Sequence, residues 1–245
     1  MKIYGLIGNP LSHSFSQKYF TEKFRKENIA GCRYLNFEIK DLNKEIGRLK
    51  DDPQLCGFNV TIPYKFQIIA FLDDISEESK EINACNCVKI VDGKWKGFNT
   101  DVTGFEKSFA PYLQPHHKKA LVLGTGGSSK AVAYVLKKSG IEFLFVSRKK
   151  EASPGAIHYD DISASLLQEF TIVINTTPAG MYPNVDGYPN LPYENVSEKN
   201  YFFDLVYNPS KTLFLSKAEA MGAIVKNGEQ MLLIQAEESW KIWSR

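Results

Sequence analysis

At 245 residues, 43% hydrophobic and 24% charged, the chain has the make-up of an ordinary folded protein, with room for one large domain or two modest ones. Thirty basic residues against 28 acidic leave a net charge of +2, far from the basic balance that binding a nucleic-acid backbone favours. No apolar run approaches a membrane span, and Gly5 and Gly8 break the opening stretch too soon for a secretory h-region, so a cytoplasmic protein without membrane partners is expected.

Strand and helix patterns alternate along the chain. Residues 2–7 read as a β-prone run, and residues 17–27 carry Tyr19, Phe20 and Phe24 at helical spacing. Residues 32–39 read as a strand, 42–50 as a helix, 57–62 as a strand and 64–72 as a helix. Two further strands, 85–91 and 95–99, flank Asp92-Gly93, a dipeptide suited to a hairpin turn. After a loop-like stretch at 111–117 the pattern restarts with a strand at 120–123, a helix at 130–138 and strands at 143–146 and 172–175. Residues 178–192, rich in Pro, Gly and Asn, read as a long loop. A strand at 202–206, a helix at 211–221 and an amphipathic helix at 230–242 complete the pattern. Repeated β-α units predict an α/β fold with a largely parallel sheet, and the restart predicts two domains divided near 102–104.

Cys32, Cys56, Cys85 and Cys87 form no C-x-x-C pair, and His13, His116, His117 and His158 are scattered, so reduced thiols and no metal site are expected. The stretch Gly124-Thr125-Gly126-Gly127-Ser128 lies between a strand and a helix, a geometry that points free N–H groups at a phosphate. Its spacing departs from G-x-G-x-x-G, because Ser129 stands where the third glycine would be, and a tight turn without ligand is the alternative. At the end of the next strand, where an NAD site carries an acid, the sequence offers Ser147, Arg148, Lys149 and Lys150. Arg148 can grip a 2′-phosphate that a carboxylate would repel, which favours NADP over NAD; a solvated basic loop is the bland reading.

Three polar clusters follow strands in the first half: Asn9 to Ser16, Asn59 to Lys65, and Gly97 to Asp101. In parallel α/β sheets ligands sit beyond the strand carboxyl ends, so these exits could converge on one small polyhydroxylated molecule. Each also has a structural reading: serines capping a helix, a surface lysine, an aspartate at a helix start.

Taken in order, the motifs resemble those of the shikimate dehydrogenase family nearly end to end. Pro10-Leu-Ser-His-Ser-Phe-Ser matches its hydroxyl motif, with Ser14 and Ser16 at the carboxylate-binding positions. N-V-T-x-P-x-K is intact from Asn59 to Lys65, Asn86 falls at the substrate asparagine, and G-x-N-T-D is intact from Gly97 to Asp101. N-x-T-P-x-G-M runs from Asn175 to Met181, D-x-x-Y-x-P from Asp204 to Pro209, and N-G-x-x-M-L-x-x-Q from Asn227 to Gln235. Gln17, Val102, Thr103, Ser147 and Lys149 depart from the family pattern.

The resemblance implies an N-terminal α/β substrate domain, residues 1–102 with 228–245, and a Rossmann-type doubly wound NADP-binding domain, residues 103–227. It implies reversible NADPH-dependent reduction of 3-dehydroshikimate to shikimate by a monomer or homodimer. Lys65 and Asp101 would be the acid/base pair, with Ser14, Ser16, Asn59, Thr61, Asn86, Tyr207 and Gln235 on the substrate. The cofactor would be held by Gly124, Thr125, Gly126, Gly127, Ser128, Ser147, Arg148, Lys149, Thr176, Met181, Val206, Gly228 and Met231. A relative using quinate or NAD, and a non-catalytic module that keeps the fold, are the competing readings. Retention of both Lys65 and Asp101 speaks against the module.

Overall fold

Alternating apolar residues place a strand between two layers, and β1 (Lys2–Gly8) does this inside the first sheet, second from one edge. Tyr4 and Leu6 pack on one face, Ile3 and Ile7 on the other. The computed structural model describes residues 1–11, 14–148 and 155–245. It comprises two compact units, Met1–Thr100 with Ala236–Arg245, and Asp101–Gln235.

In the first unit β1 is followed by α1 (Phe15–Lys26), β2 (Cys32–Glu38), α2 (Leu42–Lys50) and β3 (Leu55–Val60). A 3₁₀ turn (Gln67–Phe71), β4 (Asp74–Ile75), α3 (Glu77–Ile82), β5 (Cys87–Val91) and β6 (Lys94–Phe98) complete it. The sheet order is β2-β1-β3-β5-β6-β4. β1, β2 and β3 run parallel, and β5 is antiparallel to both its neighbours, so β6 runs in the direction of β1 and β3. Asp92 and Gly93 turn the β5–β6 hairpin with φ of 50° and 74°, the pair of left-handed conformations a type I′ turn needs.

The expected helix at 64–72 is reduced to the 3₁₀ turn. The Lys65 carbonyl accepts from the Cys85 amide at 2.8 Å instead of continuing an i→i+4 ladder. The 236–245 segment packs with Tyr4, Phe20 and Tyr34, and the Trp243 indole donates to the Val88 carbonyl at 2.9 Å over Gly57.

The second unit begins in α4 (Thr100–Phe109) and continues with β7 (Lys119–Leu123), α5 (Gly127–Lys138), β8 (Glu142–Ser147) and β9 (Ile157–His158). α6 (Ala164–Glu169), β10 (Ile172–Asn175), β11 (Tyr201–Asp204), α7 (Leu213–Ala220), β12 (Ile224–Lys226) and α8 (Glu229–Ser244) follow. Every strand pair is parallel and the order is β9-β8-β7-β10-β11-β12. This is the doubly wound Rossmann arrangement, with the reversal of strand order between β7 and β10. The expected α/β class, with a Rossmann-type second sheet, is therefore what the chain adopts. Leu121, Val173 and Phe202 face one layer, while on the other Phe109 stacks on Tyr201 and Phe105 meets Phe203 edge-on.

Helix α4 lies where a domain boundary was expected. Val102, Thr103 and Gly104 weaken its helical signal, yet Gly104 serves packing, since a Cβ there would come within 2.8 Å of the Met231 carbonyl on α8.

Candidate active site

The three polar clusters share one edge of the first sheet. β1, β3 and β6 run the same way, so their carboxyl ends coincide there, and β5, running oppositely, brings its preceding residue Asn86 to the same edge. Ser14 stands at the N-cap position of α1 with extended backbone (φ −64°, ψ 121°). Its side chain makes no cap bond, and its Oγ is buried without a hydrogen-bond partner. The capping reading therefore fails for this hydroxyl. Ser16 lies half-buried in the first turn of α1. Thr61 is fixed by its backbone, its N–H donating to Ile7 O at 2.9 Å and its carbonyl accepting from Tyr64 N at 2.9 Å. Lys65 is half-buried four residues on.

Asn59 and Asn86 are almost fully buried, and both amides are engaged within the unit. Tyr34 Oη donates to Asn59 Oδ1 at 2.9 Å, while Asn59 Nδ2 donates to Asn86 O at 3.1 Å and to Ser239 Oγ at 2.9 Å. Asn86 Oδ1 accepts from Thr100 N at 2.7 Å and from Thr100 Oγ1 at 3.2 Å. With its oxygen and both N–H groups used internally, Asn59 frames the edge rather than offering a free group to a ligand. Tyr34, Thr100 and Ser239 were not singled out from sequence. A buried hydroxyl inside a strand or helix carries no motif of its own.

In the second unit Asp101, buried in the first turn of α4, immediately follows Thr100. Gln235 on α8 is also buried, and its Nε2 donates to Leu232 O at 2.9 Å. The two helices meet at Gly104, whose Cβ would lie 3.1 Å from that of Gln235.

The glycine turn after β7 sits at the reversal of strand order. Gly124 has φ +104°, and a Cβ there would meet Thr176 Oγ1 at 2.8 Å and Thr177 Cγ2 at 2.9 Å, so the position excludes other residues on both counts. A Cβ at Gly126 would meet nothing within 4 Å, which leaves open space over the start of α5. Gly127 opens that helix, and Thr125 and Ser128 are half-buried beside it. Ser129 fills the place of the third glycine without disturbing the turn. It is fully buried, and its Oγ bends back to Gly126 O at 2.6 Å.

One strand over, Ser147 ends β8 and is buried, while Arg148 follows it exposed. Its carbonyl is 3.1 Å from His158 Nε2. Lys149 lies outside the described residues. Across the reversal, Thr176 Oγ1 donates to Leu123 O at 2.7 Å. Met181 is exposed on the loop after β10, and Val206 and Met231 are buried. Gly228 N donates to Val206 O at 3.2 Å, and Tyr207 is half-buried, its phenol pKa raised by desolvation.

These loops share an anchor to which the sequence, though it places Asn175 and Asp204 at the heads of two motifs, assigned no role. Asp204, fully buried at the end of β11, accepts from Asn175 Nδ2 at 2.9 Å, Val206 N at 3.0 Å and Thr212 Oγ1 at 2.6 Å. Burial pushes its carboxyl pKa up to about 6 against these donors. Asn175 pairs with Asp204 in register and accepts from the Thr177 amide at 3.0 Å, so one carboxyl group ties together the exits of β10 and β11. The signal available was two polar residues ending the apolar strands IVIN and YFFD at matching positions.

The groups at this edge fit a phosphorylated dinucleotide. The start of α5 points backbone N–H groups toward open space above Gly126, Arg148 offers a guanidinium, and the end of β8 carries no carboxylate. When bound, NADPH supplies a hydride.

The model of the shikimate dehydrogenase substrate binding domain matches residues 6–88. A shikimate dehydrogenase (NADP(+)) of Methanococcus vannielii is 35% identical over 259 aligned positions, covering 98% of this chain and 90% of that protein. The crystal structure of shikimate 5-dehydrogenase from Thermus thermophilus in complex with NADP(H) and shikimate aligns with a TM-score of 0.87 at 31% identity, over 100% of this chain and 94% of that one. The Listeria monocytogenes enzyme in complex with shikimate and NAD aligns with a TM-score of 0.88 at 27% identity, over 100% and 92%. Among the described residues no helix is long and apolar enough to cross a membrane. With such relatives aligned over nearly its whole length, the chain belongs to the shikimate dehydrogenase family.

Proposed function

We propose that this chain reversibly reduces 3-dehydroshikimate to shikimate with NADPH. The reading rests above all on the common sheet edge where the exits of β1, β3 and β6 gather Ser14, Ser16, Thr61, Lys65 and Asn86. The unpartnered, buried Ser14 hydroxyl and its neighbour Ser16 are suited to donate to a substrate carboxylate. Thr61, Asn86 and Gln235 orient ring hydroxyls, Tyr207 lines the carboxylate end, and Asn59 holds the others in place. The Lys65 ammonium donates a proton to the oxygen that becomes the new hydroxyl, and the neutral amine takes it back in the reverse direction. Asp101 completes the acid/base pair.

On the cofactor side, the turn from Gly124 to Ser128 receives the pyrophosphate at the start of α5. Ser147, Arg148 and Lys149 receive the 2′-phosphate, and Thr176, Met181, Val206, Gly228 and Met231 surround the nicotinamide end. In this reading Met1–Thr100 with Ala236–Arg245 is the substrate domain and Asp101–Gln235 the cofactor domain. The protein works in the cytoplasm as a monomer or homodimer, without metal or nucleic acid.

The test is absorbance at the reduced-nicotinamide band with shikimate and either NADP or NAD, in wild type and Lys65→Ala. Wild type should turn over shikimate with NADP, and the variant should lose about 10²–10⁴ in kcat, the usual contribution of a positioned acid/base, with a much smaller change in shikimate KM. Near-full turnover by Lys65→Ala would remove Lys65 from the proton transfer. No turnover of shikimate by wild type would overturn the reading.

A further inference from the structure

Ser239 is a fully buried hydroxyl on α8, four residues beyond Gln235, the last residue of the closing motif. Such a group is costly unless satisfied, and here it is satisfied by residues that bear on the substrate edge. Its Oγ accepts from Asn59 Nδ2 at 2.9 Å and lies 3.1 Å from Thr100 Oγ1.

Donor counting gives this cluster a direction. Asn59 Oδ1 takes the Tyr34 hydrogen, so its amide nitrogen is the end that reaches Ser239. Ser239 Oγ and Thr100 Oγ1 are hydrogen-bonded at 3.1 Å, and Thr100 Oγ1 donates to Asn86 Oδ1 at 3.2 Å. The Thr100 amide adds a second donor to that same oxygen at 2.7 Å. One chain of hydrogen bonds therefore runs from Tyr34 through Asn59, Ser239 and Thr100 to Asn86. It holds the Asn86 side-chain oxygen on Thr100.

We propose that Ser239 is a positioning residue for the substrate edge: it joins Asn59 to Thr100 and thereby fixes the amide orientation of Asn86. The proposal rests on the reading above, in that Asn86 is a group that meets shikimate. Hydrogen-bonded chains polarise and orient their members cooperatively, so breaking one link disturbs both ends.

The experiment compares Ser239→Ala, Tyr34→Phe and the double variant, each assayed with shikimate and NADP. Each single change should raise shikimate KM roughly 5–10-fold with a smaller change in kcat and NADP KM within about twofold of wild type. The double variant should be no worse than about the weaker single, because the chain is already broken. Tyr34→Phe keeps the ring stacked on Phe20 and carries the test if Ser239→Ala does not fold. Lowered thermal stability with unchanged shikimate KM would make Ser239 a purely structural residue and overturn the proposal. So would strictly multiplicative effects in the double variant. If wild type fails to turn over shikimate, the functional reading falls on its own. The ¹⁵N side-chain amide signals of Asn59 and Asn86, read without ligand in Ser239→Ala, then decide the chain: moved signals support it and unmoved signals overturn it.

Discussion

Replacing Asp204 by Asn tests whether a buried carboxylate anchors the loops after β10 and β11. The amide can reproduce the contacts: Oδ1 accepts from Asn175 Nδ2 and Val206 N, and Nδ2 faces Thr212 Oγ1, which can accept instead of donate. What the variant loses is the titration. The folded pKa of about 6 lies above the ordinary 3.8, so the group favours the folded state fully below 3.8 and that contribution is lost as pH rises through 6. At about 1.4 kcal/mol per pKa unit the whole effect is about 3 kcal/mol, and about 2 kcal/mol of it should emerge between pH 7 and pH 4.5. Wild type should therefore gain on Asp204→Asn steadily as pH falls over that range, starting from near equality at pH 7.

Guanidinium unfolding of both proteins at several pH values measures the gap, and other titrating groups cancel in the difference. Trp95, Trp240 and Trp243 all belong to the first unit, so far-UV circular dichroism must follow the second. A gap that stays constant from pH 4.5 to pH 8 would refute the reasoning, because it would mean that Asp204 titrates alike folded and unfolded.

Three further outcomes are expected. Ser14→Ala should leave the thermal stability of the free protein unchanged, since the deleted hydroxyl has no partner to lose, while shikimate KM rises about 10–100-fold for one lost charge-assisted bond; a drop of several degrees in Tm would restore a capping role. Arg148→Ala should lower kcat/KM with NADP about 10–100-fold, barely alter use of NAD, and reduce the salt sensitivity of NADP binding, because the guanidinium stands exposed; equal wild-type efficiency with both cofactors contradicts this. Gly57→Ala would set a Cβ 2.5 Å from Trp243 Nε1 and 2.8 Å from Val88 O, displacing the indole from its 2.9 Å bond; a loss of about 2–4 kcal/mol in denaturant midpoints is expected, and an unshifted midpoint would show that α8 yields without cost.

Most of the fold was legible because its strands carry apolar alternation or unbroken apolar runs and its longer helices an apolar period, as β10 at Ile172–Asn175 and α2 at Leu42–Lys50 illustrate. Among the elements that escaped, β4, α3, β9, α6 and β12 are short and carry neither signal clearly. α4 escaped for another reason. Its glycine and β-branched residues argue against a helix locally, and only the contact of Gly104 with Met231 shows what the glycine serves. The 3₁₀ turn at Gln67–Phe71 reflects the same tertiary override, since a distant amide, that of Cys85, captures the Lys65 carbonyl.

The site was legible to a different depth. Residues that meet a ligand sit in loops after strands, where polar clusters are conspicuous against an apolar background. Residues that hold them in place look like ordinary core or helix positions. Tyr34 reads as one more aromatic in a strand, Ser239 as a helix serine, and Asp204 as the polar end of YFFD. Only the hydrogen-bond partners separate them from bystanders. The two frames also differ in chemistry. Around Asn59 the first unit uses hydroxyls and amides, which carry no charge across the physiological range, so its geometry is insensitive to pH. Around Asp204 the second unit uses a carboxylate against which desolvation works, so the frame of the β10 and β11 loops changes protonation near pH 6. A neutral frame suits the proposed substrate edge, because its hydrogen bonds do not change with protonation. A single charged anchor suits loops that need only be gathered, since it accepts from whichever donors reach it.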